Sequence, residues 1–133
     1  QGFEVHFHGV AMKPGKPIAF GSRGDGKLWF GLPGNPLSAW TGLLLFVAES
    51  LGHSLSSSWR PLSHEVKRKA GREEFIPCTW DEDGKAGLID TVGSHSNMAL
   101  VGADGLARIP AKQEYMAVGS PVQTYRFPWS NAA

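Results

Sequence analysis

Two lysines in a rigid loop are the first residues in this sequence that could bind an anion. The segment Met12-Lys13-Pro14-Gly15-Lys16-Pro17 places Lys13 and Lys16 three residues apart. Its prolines and glycine restrict the chain, so the two ammonium groups stay in one neighbourhood at little cost in conformational entropy. Such a pair suits an oxyanion or a phosphate. The plainer interpretation is two solvated surface lysines.

A strand-to-helix turn supplies a second set of donors. The run Leu28-Trp29-Phe30 predicts a buried strand, and residues 37–51 form an almost unbroken apolar segment with helical spacing. The turn between them contains Pro33, Gly34, Asn35, Pro36 and Ser38. Asn35 suits the N-cap and Pro36 the first helical position. The open amides of the helix N-terminus would then face an anion beside the Ser38 hydroxyl. The alternative interpretation is that these residues only form a tight strand-to-helix connection with a well-capped helix.

The two motifs together, MKPGKP and FGLPGNPLS, closely resemble those of the molybdopterin molybdenumtransferases, the MoeA and gephyrin E-domain family. The resemblance runs from about residue 3 to about residue 127, which is only a fraction of that family's full length. It implies insertion of molybdate into the dithiolene of an adenylylated pterin, with release of AMP. Molybdate is a tetrahedral dianion, and several N–H and O–H donors together with cationic side chains can hold it.

The resemblance assigns the site one residue at a time. Lys13 and Lys16 match the lysines of MKPGKP, Ser38 matches the hydroxyl after the PGNP turn, and these three are the expected catalytic residues. Arg72 matches an arginine before an acidic residue and a phenylalanine, and Ser94 matches a serine before a short helix. The expected binding set for molybdate and the pterin phosphate is Lys13, Lys16, Pro33, Gly34, Asn35, Ser38, Arg72 and Ser94.

The residues themselves leave other interpretations open for the last members of this set. Arg72 stands beside Glu73 and Glu74, which is also the pattern of a surface ion pair of little energetic worth. Ser94 suits an ordinary loop, and Asn35 suits a cap better than a ligand contact.

The resemblance also implies a whole protein of which this chain is a part. It implies a cytoplasmic homodimer, in which the site lies where one subunit's α/β domain meets the other subunit's barrel domain. Its partners would be molybdopterin-AMP and molybdate, with Mg²⁺ as cofactor. The family's pterin-binding stretch lies upstream of MKPGKP, so no metal ligand is assigned here, and we expect no turnover from this chain alone. Gly102 stands where many relatives have a side chain.

The first part of the chain predicts a few strands around one helix. Strand patterns cover residues 3–8, 17–20 and 28–30, and His6 and His8 on the first of them are expected to be solvent-side histidines without a third metal ligand. The expected apolar stripe of the helix is Leu37, Trp40, Leu44, Val47 and Leu51, and Gly52 ends the helix. A few short strands and one helix are too little to form an independent α/β core. The resemblance implies the end of a three-layer α/β domain, residues 1–56.

The second part, residues 57–133, predicts a small all-β, barrel-like domain. After a serine-rich connection at 53–58, the predicted strands are 62–67, 74–80, 87–92, 106–109, 115–118 and 122–127. Residues 81–85 predict a hairpin loop, 119–121 a tight turn and 96–103 a short helix. Strands at this spacing are typical of a barrel or sandwich.

Composition and net charge limit the classes of binding partner that the sequence favours. The formal net charge of the 133-residue chain is +1, so neither nucleic acid nor a membrane surface is a favoured partner. The apolar helix is too short to span a bilayer. The single cysteine, Cys78, excludes an internal disulfide, fits a reducing compartment, and is expected to be a buried strand residue rather than a nucleophile.

A non-catalytic interaction module is the alternative function. Relatives of the gephyrin type use the same region to dimerise and to bind a peptide, and a broadly apolar helix beside a β domain with exposed edges would serve that equally well. A weaker alternative is an unrelated sugar-phosphate or nucleotide-binding protein. The β domain directly after the helix argues against a doubly wound nucleotide fold.

Overall fold

The computed structural model describes residues 4–9, 12–13, 19–32, 36–89 and 102–131. For residues 5–8, 12–13 and 36–37 the description covers the backbone. The chain divides into two compact units, Gln1–Ser54 and Leu55–Ala133, called here the first and the second unit.

The first unit contains a three-stranded antiparallel sheet. Its strands are β1 (Glu4–His8), β3 (Ala19–Ser22) and β4 (Leu28–Gly31), in the order β1-β3-β4; a two-residue strand, β2 (Met12–Lys13), lies between β1 and β3 in sequence. The predicted polar turn joins β3 to β4, with Gly26 at a φ of 84° and an ion pair between Arg23 and Asp25. That ion pair lowers the pKa of Asp25.

The prediction that residues 28–30 form a buried strand is wrong in one respect. The strand is present, but Leu28 and Trp29 are 46% and 41% exposed. Within the described residues β4 is the edge of its sheet, so only one of its sides is paired. Phe30 packs against Phe20 on β3, with ring centroids 5.1 Å apart.

A continuous helical segment follows, made of α1 (Pro36–Gly42), a π-helical segment (Leu43–Val47) and α2 (Ala48–Ser50). It begins at Pro36, as predicted. Gly52 ends it at a φ of 83°, where the N–H of Gly52 donates to Glu49 O and the N–H of His53 donates to Ala48 O. This is a Schellman motif, and it confirms the predicted helix end.

The predicted apolar stripe of this helix is wrong at Trp40 and Leu51 and is confirmed at Leu44. Trp40 and Leu51 are 43% and 69% exposed, whereas Thr41 and Leu44 are buried. A π turn closes i→i+5 hydrogen bonds and so holds an extra residue. Leu51, which lies beyond it, is therefore rotated away from the face that ideal α-helical spacing predicts; Trp40 lies before it, and this turn does not explain its exposure.

The second unit is built on a curled five-stranded antiparallel sheet that forms a half-barrel. Its strands, in sheet order, are β8 (Ala86–Leu88), β7 (Glu73–Trp80), β9 (Gly105–Ile109), β11 (Pro121–Arg126) and β5 (Ser57–Pro61). Two short strands, β6 (Val66–Lys67) and β10 (Tyr115–Met116), pair with each other. The prediction of an all-β, barrel-like second part is confirmed in this form.

One core lies within the second unit. It consists of Leu62, Val66, Cys78, Trp80, Ala86, Ala107, Ile109, Met116 and Val122. The strands of the sheet and the short β6–β10 pair both contribute to it, so the small pair covers part of the curled sheet. Phe127 is fully buried and stacks on Trp129, with centroids 4.7 Å apart.

Most strand predictions for this unit correspond to observed strands, and one is wrong. The predicted strands 74–80, 106–109 and 122–127 agree with β7, β9 and β11 to within one residue. The predicted strand 62–67 is instead an isolated bridge from Leu62 to Ala86, a bend, and the two residues of β6. The sequence pattern places β5 mostly in the connection, because an edge strand with an exposed Trp59 does not alternate clearly.

The loops and shorter elements agree with the predictions unevenly. The hairpin loop 81–85 and the turn at 119–121 are confirmed, with Gly84 and Gly119 at positive φ. The predicted strand 115–118 is the shorter β10, and only the first part of the predicted strand 87–92 is described, in β8. The predicted helix 96–103 lies almost entirely outside the described residues.

Candidate functional site

Two of the predicted site residues lie in the first unit of the described chain. Lys13 is the second residue of β2. Ser38 lies in the first turn of α1, where the leading N–H groups of a helix have no intrahelical acceptor. Ser38 is half-buried and already has an interaction partner. The side chain of Lys13 and the whole of Lys16, Pro33, Gly34, Asn35 and Ser94 lie outside the described residues.

Arg72 lies in a loop of the second unit that precedes β7. Residues 68–72, called here the arginine loop, connect β6 to β7. The side chain of Arg68 is only 12% exposed. Its Nε donates to Gln113 O at 2.8 Å and its Nη2 to Pro110 O at 2.6 Å. Its Nη1 donates to Arg72 O at 2.8 Å and to Glu74 Oε1 at 3.4 Å.

Two backbone hydrogen bonds also attach the arginine loop to the turn at 110–114. The N–H of Arg68 donates to Glu114 O, and the N–H of Gly71 donates to Ala111 O, each at 2.9 Å. Gly71 has a φ of 147°, which favours glycine. The arginine loop is therefore attached to the turn at 110–114 at several points, and Arg72 follows directly after its glycine.

The guanidinium of Arg72 is exposed, and its acidic neighbours are bonded to other arginines. Glu73 pairs with Arg108, and Glu74 pairs with Arg68. The hydrogen bond to Glu73 raises the pKa of Arg108 above its ordinary value. Over the described ranges no carboxylate forms an ion pair with Arg72, so the surface ion pair considered for it is not the arrangement found.

Arg68 was not identified from the sequence. It sits in the basic run Lys67-Arg68-Lys69, whose two lysines are exposed. Only the three-dimensional placement of carbonyls from a turn some forty residues later separates Arg68 from its neighbours. A run of three cations by itself predicts a solvated surface.

Cys78 has no features of a nucleophile. It is fully buried on β7, and burial raises the pKa of its thiol to about 12. At neutral pH it remains a protonated, apolar core group, as expected.

Metal ligation requires several donor side chains to converge. Among residues with described side chains, no three His, Cys, Asp or Glu groups lie close enough together to hold a metal ion. His6 and His8 lie on β1, and their side chains are outside that set. Across the described ranges, no helix combines the length and the apolar character that a membrane span requires.

Family models match both parts of the chain. Residues 59–127 match the MoeA C-terminal region (domain IV), and residues 1–53 match a probable molybdopterin binding domain. The first match alone covers more than half of the chain. The chain belongs to the MoeA family.

Individual members of the MoeA family show the same relation. The chain is 30% identical to the molybdopterin molybdenumtransferase of Synechococcus elongatus, over 92% of this chain and 32% of that protein. It is 32% identical to the Drosophila melanogaster molybdenum cofactor synthesis protein cinnamon, over 83% of this chain and 20% of that protein. The crystal structure of the molybdopterin biosynthesis protein MoeA from Pyrococcus horikoshii matches with a TM-score of 0.78 and 25% identity.

These matches also define how much of a MoeA protein is present. The Pyrococcus structure is matched over 93% of this chain and 33% of that chain. The chain thus spans about a third or less of the length of these three relatives.

Proposed function

We propose that this chain forms part of a molybdopterin molybdenumtransferase, an enzyme of molybdenum cofactor biosynthesis that inserts molybdate into adenylylated molybdopterin. The observation that carries the proposal is the pair of family matches, one molybdopterin-binding and one MoeA-specific, along a single chain. In this proposal residues 1–56 are the end of a three-layer α/β domain and residues 57–133 are a C-terminal β-barrel domain.

The proposed anion pocket belongs to the first part of the chain. Lys13 and Lys16 supply positive charge to the oxyanion or phosphate, and Ser38 supplies a hydroxyl at the helix N-terminus. The turn residues Pro33, Gly34 and Asn35 bring backbone groups to the same ligand. The arrangement binds and orients molybdate and the pterin phosphate, and the leaving group of the reaction is AMP.

The second part contributes Arg72 and Ser94 to substrate binding in this proposal. An exposed guanidinium on a fastened loop, with neighbouring carboxylates bonded elsewhere, supports the assignment of Arg72 as a phosphate or oxyanion contact. The whole protein is proposed to be a cytoplasmic homodimer with molybdopterin-AMP and molybdate as its partners. Mg²⁺ is proposed for the whole protein. The described residues do not form a site that fits it, so no step is assigned to it here.

Titration with molybdate or tungstate tests the pocket. We expect saturable binding by calorimetry, weakened about tenfold or more by Lys13→Ala and by Ser38→Ala, because each change removes a charged or charge-assisted contact. Lys27→Ala and Ser50→Ala are matched controls from the same unit and should leave the Kd within about twofold. Equal effects of the site and control variants would refute the proposed pocket.

The chain by itself is expected to show no turnover. The Synechococcus and Pyrococcus horikoshii relatives are about three times its length, and the remaining part would have to supply the rest of the site. Molybdenum insertion into adenylylated pterin above a no-protein blank would contradict this expectation.

A non-catalytic dimerisation or peptide-binding module of the gephyrin type is the second candidate. The observation that favours it is a set of large exposed apolar side chains in the first unit: Leu28, Trp29, Leu32, Trp40, Leu43 and Leu51. Sedimentation equilibrium of the chain and of a Trp29→Ser variant tests it. Self-association that Trp29→Ser abolishes, together with tungstate binding indifferent to Lys13→Ala, would favour this module over the enzyme.

A further inference from the structure

We propose that Arg68 is a positioning residue that holds the Arg72 guanidinium ready for an anionic ligand. The inference rests on the proposed function, because it assumes that Arg72 contacts a phosphate or oxyanion. It adds a residue that contacts no ligand itself and acts through the arginine loop.

The Arg68 guanidinium holds the arginine loop against the turn at 110–114 through its hydrogen bonds. Four hydrogen bonds from one guanidinium reach two carbonyls of the turn at 110–114, the carbonyl of Arg72 and the carboxylate of Glu74. Arginine can make these bonds because its planar guanidinium has five N–H donors in a fixed arrangement. A lysine has three donors on one nitrogen and cannot span the same acceptors.

The bond to Arg72 O fixes the backbone of the residue that would contact the ligand. Together with the Gly71 N–H bond to Ala111 O, it restrains the loop on both sides of the peptide joining Gly71 to Arg72. A loop ordered in advance does not have to lose conformational entropy when an anion binds. Loss of Arg68 should therefore weaken binding although the Arg72 side chain is unchanged.

Arg68 has a second effect, through charge. It pairs with Glu74, two residues from Arg72 in sequence, at 3.4 Å. Removal of Arg68 takes away the positive charge that lies 3.4 Å from the Glu74 carboxylate, and the negative charge that remains, two residues from Arg72, opposes the binding of an anionic ligand. Neutralising Glu74 should then restore part of the lost affinity, which a purely structural role of Arg68 does not predict.

Tungstate titration of five variants tests the inference, with calorimetry for the Kd and amide hydrogen exchange for the loop. We expect Arg72→Ala and Arg68→Lys each to weaken binding about tenfold. Arg68→Lys should also speed the exchange of amides in residues 69–72. In an Arg68→Ala background, Glu74→Gln should recover about threefold of the affinity. Arg60→Lys is the matched control, since Arg60 fastens a different loop through Gly84 O and should change neither quantity.

The outcomes separate this inference from the proposed function. If Arg72→Ala leaves the Kd unchanged, the assignment of Arg72 fails and the role of Arg68 fails with it, while the Lys13 and Ser38 pocket is judged by its own variants. If Arg72→Ala weakens binding but Arg68→Lys matches Arg60→Lys, only the inference is overturned. If Glu74→Gln gives no recovery, the effect of Arg68 through Glu74 is refuted.

Discussion

Replacing Gly105 by alanine should strongly destabilise the second unit. Gly105 is the first residue of β9, where it pairs with Cys78 on β7 and Arg126 on β11. A Cβ at this position would lie 2.1 Å from the carbonyl oxygen of Tyr125 and 2.9 Å from Cη2 of Trp80. Real Cβ atoms essentially never approach a heavy atom this closely, so one of the strands must move.

The size of the effect follows from what can move. The Tyr125 oxygen belongs to the backbone of β11, so it cannot rotate away as a side chain would. Trp80 is buried in the core, with the guanidinium carbon of Arg60 4.2 Å above its ring centroid. Inserting a methyl group into a rigid core costs about 1–3 kcal/mol, and occasionally more. With one backbone contact and one fixed ring, we expect about 3 kcal/mol, or a Tm lower by roughly 12–20 °C.

Urea unfolding followed by tryptophan fluorescence measures this change, and Gly102→Ala is the matched control. Gly102 is exposed and does not have a positive φ, and a Cβ added to it would meet no heavy atom within 4 Å beyond its own immediate backbone. Its alanine variant should unfold within about 0.5 kcal/mol of the parent chain. If Gly105→Ala is as stable as Gly102→Ala, the close approach of β9 and β11 is refuted.

Three further predictions concern the helix end, the buried thiol and the edge strand. Gly52→Ala should cost about 1 kcal/mol in a urea melt, because Gly52 has a φ of 83°, and Gly24→Ala should not. Burial raises the pKa of Cys78 from near 9 to about 12, so the thiol's contribution to the free energy of unfolding is complete below pH 9 and is lost as the pH rises towards 12. Over that range, the free energy of unfolding of the parent chain should fall more steeply than that of Cys78→Ala. The buried Thr124 hydroxyl donates to Ser58 O at 3.0 Å, so Thr124→Val should cost about 1 kcal/mol and speed amide exchange in β5, whereas the exposed Thr79→Val should do neither.

The elements that the sequence predicted well are those specified by local chemistry. Gly52 after an apolar run, the Asp25-Gly26 turn and the loop at 81–85 each depend on backbone preferences of a few adjacent residues. The strands β7, β9 and β11 were predicted to within one residue because they are central in their sheet and have clear apolar patterns.

The wrong predictions concern elements whose burial no local residue pattern specifies. Among the described strands, β5 pairs with β11 on one side only, so Trp59 is exposed and the strand lacks the alternation that a buried face imposes. The helix stripe failed at Leu51 because the preceding π-helical segment changes the angular spacing, and no residue type in 43–47 specifies such a turn. In each case the sequence contained suitable residues but no local signal for how they would be placed.

The candidate site likewise contains residues that local sequence features predict and a residue that they do not. Lys13 and Ser38 could be proposed from the sequence because a proline- and glycine-rich loop and a helix start are local features with known chemistry. Arg68 could not, because its acceptors are mostly backbone carbonyls, which every residue has and no sequence pattern marks. A residue that acts by holding another in place is identified by the atoms around it. For that reason the loop before β7, rather than the lysine motif, is where the structure adds most to the functional hypothesis.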